Sequence, residues 1–117
     1  MEFLKENAKK FLELAEECFE RKDYKLVMFF VDQFFQLGLK YLLMRRYGEF
    51  PKSHSLKLLF QLTRDDKTMD FYRKNSDILR EIELAYVASR YFDVDYSERV
   101  ASRSLKLAKE FLTVMED

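Results

Sequence analysis

The segment YKLVMFFVDQFFQLGLKYLLMRRY, residues 24–47, contains no proline and is apolar around most of a helical circumference. As a helix it would be roughly 36 Å long, and a helix that is apolar nearly all round is buried nearly all round. We therefore expect this segment to be the central helix of an all-α fold. Because a chain of 117 residues offers limited cover, we also expect part of its apolar surface to be buried in a homodimer.

A narrow polar strip interrupts the apolar surface of this helix. Its members fall within a small arc when successive residues are placed about 100° apart; they are Asp32, Gln33, Gln36 and Lys40. The favoured interpretation is that the strip is the solvent-exposed face of the helix. The alternative is functional: the strip forms a polar groove, or a polar seam in a dimer interface.

The rest of the chain also predicts helices. Two glycines and one proline are too few for the many turns of a β protein. Apolar residues recur at spacings of three and four, which is typical of amphipathic helices. The predicted helices span residues 2–21, 24–47, 54–62, 67–91 and 96–115. We expect a single domain over residues 1–117, an up-down antiparallel four-helix bundle with one additional short helix.

Local signals predict where these helices begin and end. Gly48 suits the residue that ends the second helix. Asp23 and Ser53 suit the N-caps of the second and third helices. Asp95, followed three residues later by Glu98, indicates a capping box for the fifth helix.

The fourth and fifth helices each have an apolar side. The polar run around Asn75 indicates a kink in the fourth helix, ahead of an apolar face that includes Tyr86. The predicted buried side of the fifth helix comprises Val100, Ala101, Leu105, Ala108, Leu112 and Met115. Its basic residues are Arg99, Arg103, Lys106 and Lys109. We interpret them as a solvated face rather than a phosphate site, because no aromatic residues are interleaved with them.

The composition argues against several classes of protein. Basic and acidic residues number 21 each, so the bulk charge gives no argument for nucleic acid or an acidic membrane. The single cysteine, Cys18, lies on an apolar stripe and is expected in the core. The most apolar run, LVMFFV at residues 26–31, is far shorter than the ~20 residues of a membrane span. We expect a cytoplasmic protein with no metal, no cofactor and no membrane partner.

The only histidine, His54, bears on whether the chain is an enzyme. It closes the segment YGEFPKSH, residues 47–54, which also holds the only proline. Nucleophilic catalysis needs a base beside a nucleophile, and the sequence places no second catalytic group near His54. Three interpretations stay open: His54 packs at a helix start, binds a ligand, or is catalytic. We favour the first and assign no catalytic residue.

Four segments together resemble the HEPN family (higher eukaryotes and prokaryotes nucleotide-binding domain). LAEECFERKDYKLVMFFVDQ, residues 14–33, is similar to that family's opening helix pair. DQFFQLGLKYLL, residues 32–43, resembles its Gln-x-x-Glu-x-x-x-Lys helix, with Gln36 in place of glutamate. PKSHSLKLLFQL, residues 51–62, resembles a Pro-x-Thr-His-x-Leu segment. AYVASRYF, residues 85–92, resembles a Tyr-x-x-Ser-Arg-Tyr-Pro segment.

The resemblance implies a four-to-five-helix bundle, commonly a homodimer that acts as the partner of a minimal nucleotidyltransferase. Some members bind nucleotides, and others are metal-independent ribonucleases of toxin–antitoxin or defence modules. Those ribonucleases use an arginine and a histidine separated by four to six residues. Here seven residues separate Arg46 from His54, eight separate Arg45 from it, and no histidine follows Arg90. The resemblance therefore favours a non-catalytic module over a degenerate ribonuclease or a ligand-free adaptor.

Under this hypothesis a nucleotide or RNA would contact four polar positions. Lys40 and Arg90 would neutralise phosphate. Tyr91 would stack on a base, and His54 would donate a hydrogen bond. Asp32, Gln33 and Gln36 complete the candidate set as the polar strip of the second helix.

Overall fold

The structure, a computed structural model, describes residues 2–116, which form five helices and contain no strand. The helices are α1 (Glu2–Glu20), α2 (Tyr24–Tyr47), α3 (Leu56–Leu62), α4 (Asp66–Tyr91) and α5 (Glu98–Glu116). The all-α prediction is confirmed. The predicted starts of the third and fifth helices each lie two residues too early.

A tight connection joins α1 to α2. Lys22 adopts a left-handed backbone with φ of 61°, and the Asp23 N–H donates to the Cys18 carbonyl over 2.8 Å. The Asp23 carboxylate then accepts from the Leu26 N–H over 3.3 Å, which confirms it as the N-cap of α2. Because so short a connection reverses the chain, the extensive contact between α1 and α2 makes them an antiparallel pair.

The helix α2 is the centre of the fold. It contacts each of the other four helices, and buried residues lie along it from Val27 to Leu43. Its length and its 18-residue window of mean hydropathy 1.4 would suffice for a membrane span, but 67% of that window is buried inside the bundle. Neighbouring helices of the same chain therefore cover much of the apolar surface, while the homodimer stays a prediction.

Five phenylalanine rings from four helices meet at the centre of the bundle: Phe34, Phe35, Phe60, Phe71 and Phe111. The ring centroid of Phe111 on α5 lies 5.2 Å from the centroids of Phe35 and Phe71 and 5.6 Å from that of Phe60. The predicted buried side of the fifth helix omitted Phe111 and included Leu112, which is only partly buried. The cluster ties the short α3 to the long helices.

Two of the predicted N-caps are wrong. Ser55, not Ser53, caps α3, because its Oγ accepts from the Leu58 N–H over 3.2 Å. The Ser53 Oγ instead accepts from the Ser55 N–H within the preceding turn. At α5 the Ser97 Oγ accepts from the Val100 N–H over 3.1 Å, in place of the predicted capping box that begins at Asp95.

Two other local predictions are confirmed. Gly48 ends α2 with φ of 78°, and its N–H donates to the Met44 carbonyl. Asn75 has non-helical angles inside α4 (φ −126°, ψ 18°), and its side chain donates to the Phe71 carbonyl over 2.8 Å. The kink divides α4 into a half beside the phenylalanine cluster and a half that carries Tyr86 and Arg90.

The close approach of α5 to α2 generates a prediction at Gly38. A Cβ there would lie 2.8 Å from the Met115 sulfur and 3.3 Å from Phe111. We expect Gly38→Val to lower the free energy of unfolding by about 2 kcal/mol, measured by urea denaturation, because the packed core resists added volume.

The matched control is Gly38→Ala. The flexible Met115 side chain can move away from a single methyl group, and alanine favours the helix by about 1 kcal/mol over glycine. We therefore expect its stability to stay near that of the wild type. A valine variant as stable as the alanine variant would contradict the close approach.

Candidate functional site

Tyr86 on α4 brings together two residues that the sequence predicted as ligand contacts. The His54 ring stacks on the Tyr86 ring, with centroids 5.5 Å apart and planes 17° apart. Arg90, one turn along α4, lies 5.3 Å from the same ring, and its Nη1 donates to the Tyr86 hydroxyl over 2.9 Å. Phe29 of α2 also stacks on Tyr86, at 5.7 Å. We call Phe29, His54, Tyr86, Arg90 and Tyr91 the Tyr86 cluster.

Tyr91 gives this cluster an exposed aromatic surface. Its side chain is 68% exposed, and the Arg90 guanidinium lies 5.4 Å from its ring centroid. An exposed ring beside a guanidinium is suited to stacking on a base next to a phosphate. Tyr91 and Arg90 therefore lie together, as the sequence hypothesis requires.

Lys40 lies against a different ring. Its Nζ is 5.7 Å from the centroid of Phe50, and Phe50 lines a pocket of about 420 Å³ together with Tyr47 and Pro51. Burial lowers the pKa of Lys40, and the Asp32 carboxyl opposes that shift. Lys40 therefore contacts the ring of Phe50, whereas His54 and Arg90 contact the ring of Tyr86.

Two side chains hold the backbone next to His54. The Gln36 Nε2 donates to the His54 carbonyl over 2.6 Å, and the Glu83 carboxylate accepts from the Leu56 N–H over 2.6 Å. Residues 53–56, which we call the corner, are therefore fixed by α2 on one side and α4 on the other. The His54 side chain itself stays exposed, so it both packs on Tyr86 and is accessible to a ligand.

The polar strip of α2 is not a solvent-exposed face. Asp32 is 0% exposed and Gln36 is 4% exposed, and Gln33 and Lys40 are half-buried. The favoured sequence interpretation is therefore wrong, because the corner and α4 cover this side of α2. The Asp32 Oδ1 and the Gln36 Oε1 are buried with no hydrogen-bond partner among the described residues.

The buried Asp32 carboxyl has an altered acidity. Burial, with a smaller effect of the Glu83 carboxylate, raises its pKa to about 8. Hydrogen bonding to Gln36 and Gln33 and the charge on Lys40 oppose the shift. Asp32 is therefore largely neutral at pH 7, which avoids the cost of an unpaired charge in the core.

Three other arginines considered in the sequence have partners elsewhere. Arg46 donates to the Thr63 carbonyl over 2.8 Å, and Arg45 donates to the Tyr41 hydroxyl over 3.3 Å. Arg103 of α5 pairs with Asp77 at 3.2 Å on the exposed surface, as expected of a solvated face. Within residues 2–116, no group of three His, Cys, Asp or Glu side chains is arranged to hold a metal ion.

The fold and the cluster define the class of the protein. It is a small all-α module with a cationic and aromatic surface on α4, opposite a corner that carries its only histidine. The model of the HEPN domain family matches residues 1–117, the whole chain, so the protein belongs to the HEPN domain family. Comparisons with curated proteins and with solved structures find no match.

Sequence reasoning named His54, Arg90 and Tyr91 but not the residues that position them. Tyr86 was predicted only as part of an apolar face, although its place four residues before Arg90 could have indicated a contact. Glu83 gave no local signal, because its partner, the Leu56 N–H, lies on another segment. The burial of Gln36 against the corner could not be predicted from the sequence of α2 either, because the corner lies on another segment.

The acidity of Asp32 predicts how stability depends on pH. An unfolded chain loses the Asp32 proton near pH 4, whereas the folded protein keeps it to about pH 8. The unfolded state therefore binds fewer protons in between, and the free energy of unfolding falls as pH rises, by up to about 1.4 kcal/mol per unit. The contribution of Asp32 to the free energy of unfolding is therefore fully present below about pH 4 and is lost above about pH 8.

Urea denaturation from about pH 4 to about pH 9 measures this slope. We expect Asp32→Asn to be more stable than the wild type at neutral pH and to lack the Asp32 contribution to the slope. The control is Asp93→Asn, which removes an exposed carboxylate and should leave the slope unchanged. Equal slopes in the wild type and Asp32→Asn would contradict a buried proton.

Proposed function

We propose that this protein is a non-catalytic HEPN module that binds a nucleotide or single-stranded RNA at the Tyr86 cluster. The observation that carries the proposal is the meeting of His54 and Arg90 on one ring, next to the exposed ring of Tyr91. The family match supports a nucleotide-related role. Cytoplasmic location, a homodimeric state and a minimal nucleotidyltransferase as partner belong to the same proposal.

The chemistry of the cluster fits an aromatic base joined to phosphate. Arg90 offers a guanidinium whose charge is held in place by two aromatic rings, and guanidinium groups bind phosphate oxygens through paired hydrogen bonds. Tyr91 offers a ring face for stacking, which tolerates any base. His54 adds an exposed imidazole that is stacked on Tyr86.

Lys40 enters the proposal as an outlying contact. It lies beside Phe50 and its pocket, and a short ligand on Tyr91 would not need it. A longer RNA that follows the 47–54 segment would bring a phosphate toward Lys40. The length dependence of binding therefore separates a mononucleotide site from an RNA site.

A degenerate ribonuclease is the second candidate. His54 and Arg90 are far apart in sequence, but the structure places both against Tyr86. In a weak ribonuclease, His54 would take the proton of a ribose 2′-hydroxyl, and the 2′-oxygen would attack the phosphorus. The bond from phosphorus to the 5′-oxygen would break, water would protonate that oxygen, and Arg90 would stabilise the charge on the phosphate. Among the described residues no hydrogen bond joins the His54 ring to an acid or base, so binding without cleavage is the better-supported function.

Binding is tested with a fluorescent single-stranded RNA and with ATP and GTP, by anisotropy and calorimetry. We expect Arg90→Ala combined with Tyr91→Ala to weaken binding about tenfold or more, because one phosphate contact and one stacking contact are lost. Lys40→Ala should weaken binding only to the longer RNA. Arg99→Ala, which removes an exposed charge of α5, is the control and should bind normally.

The same RNA reports cleavage on a gel. Intact RNA after prolonged incubation agrees with a binding module, whereas cleavage that is lost in His54→Ala would favour the ribonuclease. Unchanged binding in the folded Arg90→Ala, Tyr91→Ala variant would remove the Tyr86 cluster as the site.

The proposed homodimer has a candidate surface on α4. Leu84 and Val87 are three residues apart, and both are exposed. Such spacing places them on one side of the helix. This exposed apolar side of α4 supports dimerisation better than α2, where other helices cover much of the apolar surface.

Light scattering at micromolar concentration tests the homodimer. We expect the mass of a dimer for the wild type and of a monomer for Val87→Glu, because a buried charge opposes association. Leu58→Glu, which changes an exposed leucine of α3, is the matched control and should stay dimeric. A wild-type monomer would contradict this part of the proposal.

A further inference from the structure

A second pocket, of about 320 Å³, lies between α3 and α4, and we call it the α3–α4 pocket. Its apolar lining comes from Leu56 and Leu79, which are both buried. The Tyr72 ring also lines it and packs on Phe60 of the core, with centroids 5.1 Å apart. Its volume lies at the small end of the ~300–1,000 Å³ range of ligand pockets, so it suits a small group rather than a large cofactor.

Two cations line the α3–α4 pocket. Lys57 of α3 and Arg80 of α4 are both exposed, and neither forms a hydrogen bond or an ion pair with another described residue. The pocket between α1 and α5 differs, because its lysines are matched by as many glutamates and Lys109 pairs with Glu16 at 3.9 Å. The two unpaired cations of the α3–α4 pocket therefore favour an anion there.

Glu83 adds a carboxylate to the same lining. Its Oε1 accepts from the Leu56 N–H over 2.6 Å, whereas its Oε2 has no hydrogen-bond partner among the described residues. A carboxylate oxygen only accepts hydrogen bonds, so it pairs with a hydroxyl rather than with a phosphate oxygen. The lining thus offers cations to a phosphate and an acceptor to a hydroxyl, the two groups that one ribose-phosphate unit presents.

The α3–α4 pocket and the Tyr86 cluster lie on the same side of α4. Spacings of three, three and four residues separate Arg80, Glu83, Tyr86 and Arg90, which places them along one side of the helix. The corner contributes to both places, because its His54 ring stacks in the cluster and its Leu56 N–H donates to Glu83 in the pocket. A strand bound at the cluster can therefore reach the pocket by following α4.

We propose that the α3–α4 pocket binds one ribose-phosphate unit of a single-stranded RNA, another nucleotide of which occupies the Tyr86 cluster. Lys57 and Arg80 bind the phosphate, and the Glu83 carboxylate accepts from the 2′-hydroxyl. The inference rests on the proposed function and deepens it, because it makes an RNA strand the ligand rather than a mononucleotide or DNA.

The length of α4 sets the length of the ligand. Arg80 and Arg90 lie ~15 Å apart along the helix axis. A stacked strand advances about 3.4 Å per nucleotide, so this distance corresponds to about four nucleotides. A mononucleotide at Tyr91 is therefore too short to fill the pocket as well, whereas a longer strand contacts both places.

Fluorescence anisotropy with an RNA of about eight nucleotides tests the pocket, and calorimetry with AMP tests the cluster alone. We expect Lys57→Ala combined with Arg80→Ala to weaken RNA binding about tenfold. The slope of log affinity against log salt concentration should also fall in magnitude by about 0.7, the value for one lost phosphate contact on a single strand. AMP binding should not change.

The matched control combines Lys106→Ala with Lys109→Ala. This variant also removes two exposed cations, but they belong to the pocket between α1 and α5. We expect it to keep the RNA affinity and the salt slope of the wild type, which separates a contact in the α3–α4 pocket from an effect of net charge.

The role of Glu83 is tested first on the wild type, which needs no variant. We expect RNA to bind about fivefold more tightly than DNA of the same base sequence, because DNA lacks the 2′-hydroxyl. Glu83→Gln keeps an oxygen for the Leu56 N–H but replaces the charged acceptor with an amide. The preference for RNA should therefore shrink in this variant.

The outcomes separate this inference from the proposed function. Wild-type RNA affinity and salt slope in the folded Lys57→Ala, Arg80→Ala variant would overturn the pocket, while AMP binding that is weakened by Arg90→Ala with Tyr91→Ala would leave the proposed function intact. Normal AMP binding in that second variant, with weakened RNA binding in the first, would remove the cluster and keep the pocket. Equal binding of RNA and DNA by the wild type would overturn the role of Glu83.

Discussion

The enclosure of α2 is the constraint on which the other features of this protein depend. A helix with apolar side chains on nearly every side is stable in water only when other elements surround it. Here four helices do so, and each contacts α2. The absence of a side chain at Gly38 lets α5 approach closely enough to place Phe111 among the rings of α2, α3 and α4.

The same enclosure accounts for the polar residues of α2. Once α4 and the corner cover that side of the helix, Asp32 and Gln36 are inside the protein rather than on its surface. Gln36 then fixes the backbone at His54, and Glu83 fixes it at Leu56. The polar strip therefore organises a loop that has no regular structure of its own, and the loop presents the histidine to the α4 surface.

The sequence predicted the features that depend on local chemistry. The N-cap at Asp23, the end of α2 at Gly48 and the kink at Asn75 each depend on contacts with residues nearby in the chain. These three features could therefore be predicted from the local sequence. The choice between Ser53 and Ser55 as N-cap was not, because both suit the position and Gln36 and Glu83 set where the chain enters α3. The site was predicted in part: His54, Arg90 and Tyr91 could be named, but their common contact with Tyr86 requires the packing of α4 against the corner. Lys40 could also be named from the sequence, but the ring that it contacts is Phe50 rather than Tyr86.

The kink at Asn75 has a consequence for hydrogen exchange in α4. The Asn75 side-chain amide donates to the Phe71 carbonyl, the acceptor that a regular helix would offer to the Asn75 backbone N–H. The half of α4 before the kink brings Phe71 to the phenylalanine cluster, and the half after it carries Tyr86 and Arg90. The second half also has a buried side of its own, formed by Ile78, Leu79, Ile82 and Ala85. Each half is therefore anchored in the core, and amide protons near Tyr86 can exchange with solvent only in openings that also expose this buried side.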